Sequence, residues 1–568
     1  MPVEKQLPLN RPFNSRADIW FWAILIMGNA LLFLPNLLFL QPTERYSLNL
    51  ELTFALVIWV AFGMSWQRKN KNVFWAIFLL FFYIALIYKS YASVLLGIYQ
   101  TQPNLYNDYA FIANGLPFLL DGLGFSVWIY VAFVGGVLLL FALLWWATRM
   151  LLVKSAPLGR ITQMVAVSLG LLLFIYSGVS FERGGSAEMP KGVNSLVAEI
   201  RQNVRASRTS YQNMDAFMAK NPYAVYDYAQ YSLAEKPNIY LIFVESYGSV
   251  LYQRDHFRPA YTALMTSFEA SLASQGWRAV SALSEAPTWG GGSWMSYTSA
   301  LFGVDVHEQS QYEALRTKYT QVPYPNMGRY FQLQGYEYTW VVPINRKLPS
   351  ATEVVEHAFY GADRWVTYES LEYDGPLYGW GPSPPDQYTL GFVNELVRST
   401  SAPSFLFFLT QDSHYPWTPL HERVDDWRNL ARLDETGSSL SDDEKHAISY
   451  LDARENYLAA IDLSFENIND FISNLDDPNA IIVLIGDHQP PSVSRRDDGF
   501  GTMLHIISQD TGFLENFIAY GFEDGLLLEN ETSRFAHEGF YSLFVRNFLA
   551  RYGSEPNKLP PYLAEGLN

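Results

Sequence analysis

Residues 238–246 read NIYLIFVES. From Ile239 to Val244 the side chains are large and mostly apolar, without alternation, and the run then stops at a carboxylate, Glu245. A half-buried strand alternates apolar and polar residues, whereas a short unbroken run fits a strand covered on both faces, as in parallel sheets. Three more runs share this character: YTWVVP (338–343), SFLFFLT (404–410) and AIIVLIG (480–486). Helical patterns lie between them, over 258–275 and 446–474. The spacing predicts an α/β domain with a mainly parallel sheet over 236–568.

Ligands of open α/β sheets bind beyond the carboxyl ends of the strands, so polar residues just past the buried runs are the candidates for chemistry. Three runs end that way: the first at Glu245 (VESYGS), the fourth at Asp487-His488 (GDHQPP), and SFLFFLT at QDSHYPW, which carries His414. Singly, each fits a helix cap or a structural histidine. Together, one Glu, one Asp and one His with a hydroxyl would make a four-ligand oxygen and nitrogen site that suits Zn²⁺ or Mn²⁺. Such a cation lowers the pKa of a bound hydroxyl and supplies a nucleophile near neutral pH. One segment looks built to present a hydroxyl. PTWGGGSWMS (287–296) places three glycines between two tryptophans and ends them on Ser293, where the alternative reading is a surface turn.

The rest of the chain sets the surroundings. At 568 residues it exceeds one core, and its net charge of −17 divides into +5 over 1–181 (11 Lys+Arg, 6 Asp+Glu) and −22 over 182–568 (28 against 50). An acidic second part argues against a nucleic-acid partner, and the absence of cysteine excludes disulfides, thiolate metal sites and a cysteine nucleophile. Apolar runs at 19–40, 51–66, 73–96, 126–147 and 161–181 each approach the ~20 residues that cross a bilayer, so 1–181 reads as a five-span membrane domain. The first is too long, and too poorly followed by a cleavage site, for a removable signal peptide. Basic residues alternate between the connecting segments. By the positive-inside rule the N-terminus is cytoplasmic, and all beyond the fifth span is extracytoplasmic, or periplasmic, at a cytoplasmic (inner) membrane. Glu51 and Lys89, near span ends, are expected to snorkel toward water. Residues 98–125 suggest an outer-face re-entrant or interfacial segment, and 182–235 an amphipathic juxtamembrane connector.

The order VES, a Ser after a flexible loop, SHYPW and GDH resembles the alkaline phosphatase superfamily. More narrowly it is similar to the lipoteichoic acid synthase and phosphoglycerol or phosphoethanolamine transferase branch, which joins five transmembrane helices to an extracytoplasmic sulfatase-like domain. The motifs lie within 236–510. The resemblance implies that Glu245, Ser293, Asp487 and His488 hold one divalent metal, Mn²⁺ or Zn²⁺ ahead of Mg²⁺, and that Ser293 is transiently phosphorylated. It implies that His414 contacts the transferred phosphoryl group and that Arg364, in GADRWVTYESL (361–371), contacts phosphate oxygens, the other reading of Arg364 being a surface ion pair with one of the nearby carboxylates. The chain departs from the teichoic acid synthases in having Ser for the usual Thr. Their tryptophan two residues before the arginine is also missing; Trp365 follows it instead, as a candidate substrate contact. His505 in TMLHIIS (502–508) is read either as a phosphate or second-metal contact or as a structural histidine on a strand.

The function these features imply is transfer of a phosphoglycerol-type head group from phosphatidylglycerol or phosphatidylethanolamine to an extracytoplasmic acceptor. The aromatic segment YDGPLYGWGPSPPDQY (373–388), with Trp380, points to a glycan or glycolipid acceptor, since aromatic faces stack on sugar rings. A sulfatase would need Cys or Ser followed by x-P-x-R, whereas Ser293 is followed by Trp294, Met295, Ser296 and Tyr297. Phosphoethanolamine transfer is chemically close, although familiar members carry disulfides. A non-enzymatic alternative is an inactive membrane-tethered glycan-binding protein, which would be expected to have lost one of the four ligands.

Overall fold

The computed structural model describes residues 15–38, 47–61, 64–110, 158–184, 192–345, 350–379, 381–432, 452–528 and 535–567, with scattered positions between 112 and 146. The chain divides into two compact units, Met1–Tyr211 and Gln212–Asn568.

In the first unit the described helices are α1 (Ser15–Leu38), α2 (Leu50–Ala61), α3 (Met64–Val94), α4 (Arg160–Gly184) and α5 (Leu196–Ala219), whose last turns belong to the second unit. Phe21, Leu25, Leu52, Leu56, Phe78 and Phe82 form its apolar core. Two helical stretches are long and apolar enough to cross a membrane, Ala17–Leu37 and Asn72–Tyr99; Leu50–Ala61 and Arg160–Tyr176 are apolar but shorter. Of the second expected span, 51–66, residues 62 and 63 lie outside the described residues. Helix α2 ends at Ala61, giving about 18 Å of helix against a hydrocarbon core of about 30 Å. The fourth, 126–147, lies largely outside the described residues, as does most of 111–125.

Glu51 and Lys89 do not snorkel. The Glu51 carboxylate accepts hydrogen bonds from the Ser195 hydroxyl and from the N–H groups of Leu196 (3.1 Å) and Val197 (3.0 Å), and Lys89 pairs with Glu199. The physical reason is the start of α5. Its first turn has N–H groups with no partner in the helix and the positive end of the helix dipole, both of which attract the Glu51 carboxylate, while its Glu199 side chain gives the Lys89 ammonium an opposite charge.

The second unit is built on a nine-stranded sheet. Its strands are β1 (Ile239–Val244), β2 (Arg278–Glu285), β3 (Glu337–Val342), β4 (Arg364–Thr367), β5 (Ser404–Leu409), β6 (Ile481–Gly486), β7 (Gly501–Ser508), β8 (Glu523–Asp524) and β9 (Phe535–Ala536). The spatial order is β8-β2-β7-β6-β1-β5-β3-β4, with β9 beside β2. Strands β6, β1, β5, β3 and β4 are mutually parallel, while β7 runs antiparallel between β6 and β2. The sheet is thus mixed, with the four runs read from the sequence forming its parallel centre.

Those runs are continuous because both faces are covered. Ile239, Leu241 and Phe243 of β1 enter one apolar layer with Phe540, Phe544 and Phe548 of α10 (Phe540–Tyr552). Tyr240, Ile242 and Val244 enter the other, with Tyr261, Met265 and Phe268 of α6 (Arg258–Ser274) and Tyr457, Ile461 and Phe465 of α9 (Ala453–Ser473). Each fully buried apolar side chain contributes about 1.5–3 kcal/mol. Helix α6 coincides with the expected 258–275; α9 covers the described part of 446–474, residues 446–451 lying outside it.

Candidate active site and metal centre

The parallel register brings the ends of β1 and β6 side by side, Val244 against Gly486. The next residue on each strand is therefore a carboxylate next to a carboxylate. Glu245 donates its backbone N–H to the Thr410 hydroxyl (2.9 Å) at the end of β5, and Ser246, at φ 59°, turns the chain away. This strained residue is stabilised from both sides: its N–H donates to Asp487 Oδ1 (2.8 Å) and its carbonyl accepts from the Tyr457 hydroxyl (2.7 Å). Asp487 Oδ1 also accepts the His488 N–H (2.7 Å). Its second oxygen, Oδ2, is buried without a hydrogen-bond partner.

His488 Nδ1 lies 2.9 Å from the Gln489 carbonyl oxygen. A carbonyl only accepts, so Nδ1 carries a proton and Nε2 is the ring atom that faces the cluster and would ligate a metal. That Nε2 is 3.3 Å from Asp487 Oδ2, 3.4 Å from Glu245 Oε1 and 3.4 Å from Ser293 Oγ. Ser293 Oγ donates to Glu245 Oε2 at 3.0 Å. Four side chains thus converge on one point.

The glycines deliver the hydroxyl to that point. Gly290, Gly291 and Gly292 have φ of 69°, 149° and 82°, and a Cβ on Gly292 would stand 2.7 Å from Met295 Cε. Gly290 donates its N–H to the Gln489 carbonyl (3.1 Å), tying this loop to the segment after β6. Helix α7 (Ser293–Phe302) begins at Ser293 itself, so the hydroxyl sits where N–H groups and the helix dipole favour an anion. The neighbouring hydroxyls are used elsewhere: Thr288 and Ser296 are buried and bond each other at 3.0 Å.

The electrostatics fit a cation. Burial and the adjacent Asp487 push the Glu245 carboxyl well above its ordinary range. Two buried carboxyl groups side by side, with one Asp487 oxygen lacking a hydrogen-bond partner, are costly together unless a positive charge lies among them. Glu245, Asp487 and His488 form a group able to hold a metal ion, with ligand atoms within 4.8 Å of one another. The donor set of oxygens and one nitrogen suits Mn²⁺ or Zn²⁺.

His414 is half-buried, with Nδ1 2.6 Å from the Tyr415 carbonyl oxygen. Burial pulls its pKa down, and it feels the charges of both His488 and Asp487, so it belongs to the surroundings of the cluster. Sequence reasoning missed the groups that hold its loop. Asp386, at the start of helix α8 (Asp386–Ser399), accepts the N–H groups of Gln411 (2.9 Å) and Asp412 (3.0 Å). Asp412 Oδ2 bonds His421 Nε2 (3.0 Å) and Asn467 Nδ2 (2.8 Å). His537 was also missed. It is buried behind β6, bonded to the Gly486 carbonyl (3.0 Å) and the Ser284 hydroxyl (2.7 Å). Asp412 stands just past the run 404–410 and carried the same signal as His414, whereas Asp386, His421, Asn467 and His537 end no apolar run and no local signal marks them.

Arg364 is not brought to the cluster. It opens β4, and the register Arg364↔Thr339↔Leu406↔Tyr240 places it level with a residue five positions before Glu245. At about 3.3 Å per residue and about 4.8 Å per strand, that is roughly 16 Å along the sheet and 14 Å across it. Its guanidinium instead pairs with Glu337 at 2.5 Å. Trp365 stacks on His357 (4.0 Å between centroids) and packs against the apolar layer through Trp340. Trp380 lies outside the described residues.

His505 is a structural residue of β7, with Nδ1 2.6 Å from the Ser281 hydroxyl and Nε2 2.9 Å from the Tyr247 hydroxyl. Both ring nitrogens are occupied, which leaves none for phosphate or metal. Burial lowers its pKa to about 3. An unfolded histidine titrates near 6.5, so the unfolded chain takes up the proton first as pH falls. The stability this residue contributes is therefore complete above pH ~6.5 and is lost by about 1.4 kcal/mol per pH unit below it. His505→Gln should flatten the fall of the thermal midpoint between about pH 6 and 4; an unchanged slope would refute the assignment.

The sulfatase family model matches residues 237–521, half of the chain. Among solved structures the chain is similar to the lipoteichoic acid synthase LtaP from Listeria monocytogenes (13% identity, 62% of this chain and 80% of that one, TM-score 0.37). It is also similar to the Streptococcus pyogenes phosphoglycerol transferase GacH in complex with sn-glycerol-1-phosphate (14% identity, 63% and 87%, TM-score 0.34). A third is the C-terminal periplasmic domain of EptC from Escherichia coli (13% identity, 55% and 84%, TM-score 0.33). No curated protein sequence matches the chain.

Proposed function

Because this chain belongs to the sulfatase family, we propose that it is a metal-dependent phosphotransferase that moves a phosphoglycerol-type head group from a phospholipid to an extracytoplasmic acceptor. The observation that carries this reading is the Ser293 hydroxyl bonded to Glu245 beside an orphaned Asp487 oxygen and His488 Nε2. Sulfate-ester cleavage through formylglycine is disfavoured because no x-P-x-R follows Ser293.

In the proposed reaction Ser293 Oγ loses its proton, the Oγ–P bond forms and the P–O bond to diacylglycerol breaks, the departing oxygen taking up a proton. An acceptor hydroxyl then attacks the same phosphorus, and the Oγ–P bond breaks to regenerate Ser293. Glu245, Asp487, His488 and Ser293 would hold a divalent cation, which when bound would supply positive charge that acidifies the hydroxyl and offsets phosphoryl charge. Glu245 orients Ser293 by accepting the hydrogen bond from its hydroxyl, and the bond from the Ser246 N–H to Asp487 fixes the two carboxylates relative to each other. The α7 N-terminus supports developing charge on the phosphoryl group. His414, on its buried scaffold, stabilises that group or protonates the leaving oxygen.

A phospholipid donor is supported by the two long apolar helices. Their outward faces, with Ile77, Leu80, Ile84 and Ile87 exposed, suit lipid. Diacylglycerol would stay in the membrane. Phosphatidylglycerol and phosphatidylethanolamine labelled in the head group, presented in detergent, test the reading. Release or transfer of label from the glycerol lipid supports it; rapid cleavage of a soluble phosphate or sulfate ester with no label leaving any phospholipid would sink it.

For the acceptor we favour a glycan or glycolipid, on Tyr378 and Trp380 of the segment 373–388, whose Tyr373 and Tyr388 are buried in the apolar layer. Trp380→Ala should weaken acceptor use several-fold while phosphoserine formation is unchanged; equal loss of both steps would contradict this role.

A further inference from the structure

We propose that the exposed flank of α5, within Leu196–Tyr211, rests on an anionic phospholipid surface. At about 100° per residue, the helix divides into three sectors. Leu196, Asn203 and Ser210 are buried on one side. Arg201, Arg205 and Arg208 are exposed roughly opposite, and among the described residues none of the three forms an ion pair. Between these sectors runs an apolar stripe: Val197, Ile200, Val204 and Tyr211 are 62%, 37%, 60% and 65% exposed. An uncovered stripe of this kind beside a row of arginines is the pattern of a helix lying at a lipid interface, apolar side in the acyl boundary and guanidinium groups among phosphates.

Three features favour lipid over a protein partner. The start of α5 is held at the ends of apolar helices, by Glu51 in the first turn of α2 and Lys89 near the end of α3, where a bilayer interface would lie. The helical turn over 105–110 is fastened to the same helix, Asn203 accepting the Leu105 N–H (2.9 Å) and Ser207 that of Tyr106 (3.2 Å). It adds the exposed Leu105 and Tyr109 to the apolar surface. The charge is also local. Glu199 is neutralised by Lys89, which leaves the three arginines as a positive patch in a chain whose 182–568 portion carries −22.

The inference rests on the membrane reading above, so its test separates the two. The chain has no cysteine, which allows single spin labels on the full-length protein at Val204→Cys, with Ile84→Cys on α3 and Glu555→Cys on the second unit as references. Accessibility to oxygen and to an aqueous nickel chelate is read in nanodiscs of phosphatidylcholine with or without phosphatidylglycerol. Val204 should be several-fold less open to nickel than Glu555, remain open to oxygen, and gain protection with phosphatidylglycerol. Replacing Arg201, Arg205 and Arg208 together by Gln should remove that gain. A lipid-like Ile84 with a water-exposed Val204 would overturn the inference alone. A Val204 label shielded from both reagents would overturn it in favour of a protein partner or a second copy, and a water-exposed Ile84 would overturn the membrane reading with it.

Discussion

Ser293→Ala is expected to abolish the phosphorylated intermediate and transfer together, with activity reduced on the order of 10⁴-fold or more, as for loss of a covalent nucleophile. Glu245, Asp487 and His488 should still bind metal, though more weakly. Ser293→Thr should retain substantial activity, because the hydroxyl persists at the start of α7. The competing role, in which Ser293 only ligates metal while water attacks, predicts residual hydrolysis in the alanine variant. Trapping the intermediate and mapping the phosphate by peptide mass spectrometry decides between them. A phosphate on Thr288 or Ser296 would overturn the assignment, and the mutual hydrogen bond of those two hydroxyls makes both poor nucleophiles.

Asp487→Asn is expected to act with opposite signs on the metal-free and metal-loaded protein. Without metal, neutralising Asp487 relieves its repulsion of buried Glu245, so the variant should be more stable than the native chain by about 1–3 kcal/mol. With metal, the native chain gains about 2.7 kcal/mol at a hundredfold excess over the dissociation constant. The variant should lose most of that gain, since removing a ligand costs more than the ~10–100-fold in affinity typical of an outer-sphere partner. The pH dependence follows from Glu245, whose carboxyl is held well above its ordinary 4.5. The metal-free native state keeps a proton that the unfolded chain releases, so its stability falls as pH rises above about 4.5. Metal displaces that proton, and its stabilisation should be larger at about pH 8 than at pH 5. Thermal unfolding with Mn²⁺ or Zn²⁺, compared with chelator, reads all three; equal metal shifts in native and variant protein would refute the site.

The strands at the sheet centre were legible because burial on both faces demands unbroken apolar runs, and a chain of one dimension records that demand directly. Glu245, Asp487, His488 and His414 were legible for a related reason: each stands just past such a run or a few residues beyond it. Strand β2 was not read from the sequence, and β7 only through the reading of His505 as a strand histidine, because their interiors carry Ser281 and His505, which bury their polar atoms by bonding each other across the sheet. No local pattern announces a polar pair whose members are separated by 224 positions. Arg364 shows the converse failure. Its sequence neighbourhood suggests phosphate contact, yet strand register, set by long-range hydrogen bonds, puts it at the wrong end of β4.

The chain alone determined that buried parallel strands would end in carboxylates and a histidine, since that follows from hydrophobic burial and the direction of each strand. Which groups meet was decided by the tertiary structure, because convergence depends on register between β1 and β6, on the left-handed glycines before Ser293, and on who satisfies each buried polar atom. The same holds for Glu51 and Lys89. Near a span end they read as solvated charges, and only the arrival of α5 gave them partners: the unpaired N–H groups of its first turn for the Glu51 carboxylate, and the Glu199 carboxylate for the Lys89 ammonium.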